Sequence, residues 1–269
     1  MEQYTLTLLD CVDDADRLKN HLTKKGWNHK CFKTYSTLER IQSWVDSNCF
    51  YLDDGSRWND PYDSRMFNND RSIVKRFGRC FSFSITESVA MWMLYGGMEK
   101  KGAMLEFKGA AMRELINKTS VVELGNWENG EFKIVKALTE GQYVLELKDI
   151  LYRDKEDADG IYICRAKEVC KKAPVSLINE LDHCVKSVAW SYEEECRLIL
   201  SVNKADVPEV LNASSVRISL HNMLKDPKKT NIYCSPNFTG KKLYQESKLA
   251  GGIDWDLCAG CKKQTPADT

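Results

Sequence analysis

The sequence predicts an α+β fold, a central mixed or antiparallel sheet with helices packed outside it. Three observations lead there. Cys80 to Ile85 alternates aromatic and hydroxyl side chains in the manner of a strand, then gives way to Met91, Trp92 and Tyr95 at helical spacing, and then to a second strand at Ala103–Phe107. Two further stretches, 36–46 and 176–189, carry apolar stripes with a helical period: Leu38, Ile41, Trp44 and Val45 in the first, Leu177, Leu181, Cys184, Val185 and Val188 in the second. Between them lie short apolar runs of strand length, at 119–124, 132–135, 143–147 and 149–152.

From the N-terminus, Tyr4 to Leu9 alternates as a first strand does, and Ala15, Leu18 and Leu22 mark a short helix. Lys30 to Tyr35 reads as a strand. Ser36 or Thr37 caps the helix that follows, with Glu39 in its first turn, where a carboxylate meets the positive end of the helix dipole. Phe50-Tyr51-Leu52 is a brief strand. Trp58-Asn59-Asp60-Pro61-Tyr62-Asp63 reads as a folded loop, because Asn59 or Asp60 can bond the local backbone while Pro61 fixes its own φ. Ser88 caps the helix holding Trp92, and Gly96-Gly97 ends it. Met112 to Ile116 is a short helix. Residues 154–160 form a polar turn, Ile161 to Cys170 starts a helix that Pro174 interrupts, and 176–189 continues as a helix with His183 as a surface or half-buried polar residue. Residues 206–211 and 214–218 form a turn and strand, and Asn231 to Ser235 a last strand. The expected organisation is one domain over residues 1–245 and a C-terminal appendage over 246–269.

The 269 residues carry 39 basic and 39 acidic side chains, so no overall field draws the protein to a polyanion. No apolar run reaches the roughly 18 residues needed to cross a bilayer, and the acidic N-terminus does not read as a signal peptide. Eleven cysteines without a secretory segment read as reduced thiols in a cytoplasmic protein. Cys258-Ala-Gly-Cys261 is half of a zinc knuckle whose complement is missing, so no metal site is expected. A phosphate loop, a dinucleotide fingerprint and His-Glu-x-x-His are all absent.

Chemistry concentrates in Trp190-Ser191-Tyr192-Glu193-Glu194-Glu195-Cys196-Arg197, where the chain enters a strand. Strand spacing puts Glu193, Glu195 and Arg197 on one face. Two carboxylates and a guanidinium in line are costly to bury unless paired, so Arg197 either neutralises Glu195 structurally or shares a polar cleft with it.

Four blocks, in order from residue 32 to about 200, together resemble the DUF2971 family, a bacterial family catalogued mainly as a domain of unknown function. They are Phe32-Lys33-Thr34-Tyr35, Trp58-Asn59-Asp60-Pro61-Tyr62-Asp63, Cys80-Phe81-Ser82 with Met91-Trp92-Met93-Leu94-Tyr95 and the strand from Gly102 to Phe107, and Trp190 to Arg197. Two positions depart from the pattern: Cys196 stands where relatives have Trp, and Gly96-Gly97 where they continue with a polar pair.

A looser resemblance is to NAD-dependent mono-ADP-ribosyltransferases. These combine a polar or basic residue on a first strand, a Ser- or Tyr-bearing second strand, and Glu-x-Glu entering a later strand. That resemblance implies an ADP-ribosyltransferase-like fold and NAD as co-substrate. The implied catalytic residues are Glu195, Glu193 and Tyr95, and the cofactor-binding residues Lys33, Tyr35, Asn59, Asp60, Ser82, Ser84 and Trp92. Glu195 would hold the ribose 2′-hydroxyl and stabilise the oxocarbenium, while Tyr95 or Trp92 stacks on nicotinamide. Lys33 or Tyr35 stands where these enzymes usually carry Arg. The implied function is an ADP-ribosyltransferase or NAD glycohydrolase of a defence or toxin type, with a protein or nucleic acid as acceptor. The alternatives are a non-catalytic binding module and a nucleic-acid-processing enzyme. Tyr35, Asn59, Asp60, Ser82, Trp92, Tyr95 and Glu195 are expected around one pocket.

Overall fold

The structure, a computed structural model, describes residues 15–22, 31–68, 72–83, 88–95, 102–157, 159–165 and 170–235. In chain order the elements are α1 (Ala15–Leu22), β1 (Cys31–Thr37), α2 (Leu38–Ser47), β2 (Cys49–Asp53), α3 (Pro61–Phe67), β3 (Val74–Ser82), α4 (Val89–Tyr95), β4 (Gly102–Lys108) and α5 (Gly109–Lys118). There follow β5 (Val121–Glu128), β6 (Glu131–Thr139), β7 (Val144–Asp149), β8 (Leu151–Asp157), β9 (Gly160–Cys164), β10 (Lys171–Ala173), α6 (Val175–Glu180), β11 (Val185–Ser187), β12 (Glu195–Asn203), β13 (Ser215–Ser219) and β14 (Thr230–Cys234). The fold is α+β, with antiparallel and mixed sheets and flanking helices.

The described chain falls into two compact units. The first takes its residues from Met1–Gly26, Tyr51–Ser82 and Thr119–Ile218, the second from Trp27–Phe50, Phe83–Lys118 and Ser219–Thr269.

In the first unit β12 is the organising strand. It pairs antiparallel with β3 along its whole length, Glu195 opposite Ser82 and Asn203 opposite Val74, and with β7 on its other side. A strand paired on both edges has its backbone groups satisfied, so β12 tolerates burial of every residue from Glu195 to Leu200. The pleat sends Glu195, Arg197 and Ile199 to one face. Ile199 meets Phe67, Ile150, Tyr152, Cys164 and Cys184 there. A four-stranded sheet in the order β10-β9-β8-β11 belongs to the same unit, with β11 parallel to β8 and the other pairs antiparallel. Leu18 and Leu22 of α1 pack with Leu151, Ile161, Ile163 and Leu177 in a second apolar cluster.

Two glycines let aromatic rings lie against this architecture. A Cβ on Gly78 of β3 would meet the Phe67 ring at 2.7 Å and Trp58 at 3.4 Å; one on Gly55, whose φ is +81°, would meet Phe67 at 2.9 Å. The Trp58 and Phe67 rings, 4.5 Å apart, thus occupy space that side chains would fill.

The second unit is built on β1, β4 and β14. β4 is the middle strand, antiparallel to both neighbours, with Lys33 opposite Glu106 and Asn231 opposite Glu106 on the other side. Thr37 caps α2 by accepting from the Arg40 amide, and Asn48 ends it in the left-handed region at φ 51°. Ser88 accepts from the Met91 amide at the start of α4, and Tyr35 meets Trp92 edge-to-face at 5.0 Å.

Several expectations change. The loop at 58–63 becomes a helix from Pro61, because Asp60 caps it by accepting from the amides of Tyr62 and Asp63 and Pro61 sits where no amide donor is needed. Residues 161–164, expected to open a helix, form β9, and β8 runs on to Asp157 through the expected turn. The expected turn and strand at 206–218 appear as a 3-10 turn at Pro208–Asn212 followed by β13. The stretch 176–189 is the largest correction. Only α6 is helical; a 3-10 turn at Asp182–Cys184, the strand β11 and a second 3-10 turn at Val188–Glu193 follow. The Asp182 carboxylate accepts from the His183 amide, closing a local turn that competes with the helix. His183 is accordingly buried rather than superficial. The expected strand at 4–9, Ser84, Gly96-Gly97, and Cys258 with Cys261 lie outside the described residues.

Candidate functional site

The sequence places two ionisable side chains, Glu195 and Arg197, on one face at the fully buried start of β12. What makes this tolerable is a set of partners brought from five other elements of the first unit. Arg197, fully buried, donates from Nη1 to Asp63 Oδ1 at 2.9 Å and from Nη2 to Asp63 Oδ2 at 2.5 Å. Its Nε donates to Glu195 Oε1 at 2.5 Å, and Nη1 also reaches the His183 carbonyl at 3.1 Å. This occupies the planar fork on both sides, a geometry that lysine cannot reproduce.

Lys186 of β11, 3% exposed, is the second cation. Its Nζ donates to Glu193 Oε2 at 2.6 Å and to Glu195 Oε2 at 3.0 Å, and stands 3.9 Å from Asp63 Oδ2. Glu195 therefore gives one oxygen to Arg197 and the other to Lys186. Glu193 arrives by a different route than strand spacing: it ends a 3-10 turn, and Glu194 reverses the chain at φ 45° before β12 starts. The two carboxylates still meet on one ammonium. Tyr152 of β8 accepts from the Glu195 amide through its hydroxyl at 2.8 Å. An indole covers each cation: Trp58 lies 4.5 Å from the Arg197 guanidinium carbon and Trp190 4.7 Å from Lys186 Nζ.

Ionisation follows from these partners. Burial pushes the Glu195 carboxyl up, but Arg197 and Lys186 outweigh it, and the group is held well below the usual carboxylate range. Burial works against the Lys186 ammonium, yet Glu195 and Glu193 keep it charged far beyond the lysine range. Burial raises the Asp63 carboxyl, opposed by Arg197 and assisted by Glu195. Burial and the Glu195 charge push both the Cys80 thiol and the Tyr152 phenol up, so these two remain neutral donors or acceptors.

Of the residues singled out from the sequence, Glu193, Glu195 and Ser82 come together in the first unit; Ser82 is 2% exposed and stands directly opposite Glu195 in the ladder. Asp60 is engaged as a helix cap and Asn59 is exposed. Tyr35, Trp92 and Tyr95 pack as one aromatic cluster with Met91, Met104 and Tyr233 in the second unit. Lys33, on the same strand as Tyr35, is 5% exposed. Asp63, Lys186 and Tyr152 belong to the ion cluster without having been singled out. The signal for Lys186 is a lysine inside the apolar run Cys184-Val185-Lys186, shortly before a cluster of glutamates.

Among the described residues no group of His, Cys, Asp and Glu is disposed to hold a metal ion, and eight cysteines are free thiols. No helix of the described residues is long and apolar enough to cross a membrane.

Residues 91–198 match the family described as "Protein of unknown function (DUF2971)", a partial match that starts within α4 and contains β11, Lys186, both glutamates and Arg197. No match was found among curated proteins, nor among solved structures.

Proposed function

We propose that this protein cleaves the bond between nicotinamide and ribose in NAD, passing ADP-ribose to a macromolecular acceptor or to water. One observation carries the reading: Glu195, preceded by Glu193, opens β12 directly across from Ser82, which closes β3. Glu-x-Glu at the start of one strand, beside a serine-bearing strand, is the juxtaposition expected from the resemblance to ADP-ribosyltransferases. In the reaction the glycosidic C–N bond breaks with both electrons leaving on nicotinamide, and the ribose carbon passes through a cationic state. A carboxylate held on the ionised side by two neighbouring cations suits stabilisation of that cation better than proton transfer.

A second reading has an observation of its own. Both Glu195 oxygens are already paired with cations and the residue is 2% exposed, as in a non-catalytic binding module whose ion cluster knits the core. Nicotinamide release and thermal melting of wild type and Glu195→Gln, with and without cell lysate as acceptor source, separate the two. Transferase chemistry predicts release by wild type and a loss of about 10²-fold, about 3 kcal/mol, in a variant that stays folded. No release by wild type, with a collapsed melting temperature in the variant, supports the binding module.

A further inference from the structure

Lys186 sits at a position that neither strand pairing nor core packing requires to be charged. The two residues before it, Cys184 and Val185, are apolar and buried, and Lys186 is inside with them, whereas Ser187 after it is exposed. Its single nitrogen bridges the two carboxylates of Glu193-x-Glu195 at 2.6 and 3.0 Å, and the Trp190 indole closes over it. Glu193 lies in an irregular turn and Glu195 in a strand, so no shared secondary structure fixes their relative orientation. The ammonium is the group common to both.

We infer that Lys186 is a positioning residue that holds Glu193 and Glu195 in the one arrangement in which Glu195 faces the reacting ribose carbon. This rests on the proposed cleavage of NAD and deepens it. The groups facing Glu195 are Arg197 on its own strand, Lys186 on β11, Cys80 and Ser82 on β3, Tyr152 on β8, Asp63 on α3, and Glu193 on the preceding turn. Among the described residues, Arg197 and Lys186 bring the positive charge. Loss of Lys186 leaves Glu195 with one cation, while Asp63 and Glu193 still oppose its ionisation.

The test uses the full chain and three proteins: wild type, Lys186→Met and Lys186→Arg. Nicotinamide release from NAD is measured against pH, and the glutamate carboxyl carbons are followed by ¹³C NMR over the same range. In Lys186→Met the expected result is a fall in kcat of about tenfold or more with KM for NAD little changed, and an acid limb displaced upward. The Glu195 carboxyl resonance titrates at higher pH than in wild type. Lys186→Arg retains the charge but not the single bridging nitrogen, so its carboxyl resonance stays at the wild-type position while kcat falls by about tenfold. If Lys186→Met does not fold, Lys186→Arg decides: folded protein with wild-type kcat overturns the role. So does a folded Lys186→Met with wild-type kcat and an unmoved acid limb. Wild type that releases no nicotinamide overturns the proposed cleavage and this role with it; a carboxyl titration that still moves in Lys186→Met then marks a structural ion pair.

Discussion

Asp63 and Arg197, 134 residues apart in the chain, form a bidentate ion pair in the interior of the first unit, with contacts of 2.9 and 2.5 Å. Asp63 is in place because Asp60 caps α3 and starts a helix whose first turn carries Asp63 inward. Arg197 is in place because β12 is paired on both edges. A helix cap and a strand register thus fix two charges against each other, and neither is stable inside without the other.

Asp63→Ala leaves the guanidinium buried with Glu195 and a main-chain carbonyl as its remaining polar partners. The expected cost is about 3–5 kcal/mol of stability, the usual consequence of removing one partner from a buried pair. Asp63→Ala combined with Arg197→Met removes both charges, and the double variant should be more stable than the sum of the two single losses predicts. Urea denaturation of the four proteins in the cycle measures this. Additive losses would show that the two residues do not stabilise the fold through each other.

Acid acts on the same cluster. A carboxylate whose pKa in the fold lies below its unfolded value stabilises the protein above the unfolded value and loses that contribution on acidification. For Glu195 the shift is downward, so stability should fall as pH drops below about 4.3, the unperturbed glutamate value. Asp63 is shifted upward and contributes with the opposite sign: its term is present below the unfolded aspartate value and is lost as pH rises through the folded one. Melting temperature measured from pH 3 to pH 7 in roughly half-unit steps should show a steep acid flank in wild type, and a shallower one in Glu195→Gln, which has no Glu195 charge to lose. Equal flanks in the two proteins would remove Glu195 from the account of acid stability.

Much of this was legible in advance where the signal was local. Thr37 and Ser88 are recognisable as helix caps because capping needs only a short side chain and an amide two or three residues on. The run Glu193–Arg197 announced buried charge that had to be paired, and it is. Asp63 was in view, inside a motif, but its role depends on a partner 134 residues away that no spacing rule reaches. Lys186 was hidden by a misread period: Leu177, Leu181, Cys184, Val185 and Val188 fall at helical spacing, although the chain leaves the helix after Glu180. The strand β11 is only three residues long, too short for alternation to register against that stripe.

Gly78 offers a test of packing rather than charge. Its missing Cβ is what lets Phe67 and, beyond it, Trp58 lie against β3, and Trp58 in turn covers Arg197. In Gly78→Ala the new methyl would sit 2.7 Å from the Phe67 ring, so the ring must move. The expected loss is about 1–3 kcal/mol, the range for overpacking a close-packed interior. Displacement of Trp58 from the cation should also change tryptophan fluorescence in the folded baseline. A variant as stable as wild type would show that this contact relaxes without cost.

Arg197→Lys tests whether charge alone suffices at the centre of the cluster. The guanidinium uses three nitrogens for four contacts, to both Asp63 oxygens, to Glu195 and to the His183 carbonyl. An ammonium on a shorter reach has one nitrogen and cannot address Asp63 and Glu195 in the same planar geometry. The substitution keeps the formal charge, so a purely Coulombic account predicts a small effect. The geometric account predicts a loss approaching that of Asp63→Ala, about 3 kcal/mol, because carboxylate oxygens are left buried and unbonded. Arg197→Met removes the charge but fills the space, leaving two carboxylates in excess with Lys186 as the remaining cation, and should be worse still at neutral pH. It should recover part of the difference as acid neutralises those carboxylates. Denaturant midpoints of the two variants at pH 5 and pH 7 decide the matter. Arg197→Lys as stable as wild type at both would mean that the cluster reads charge and not shape.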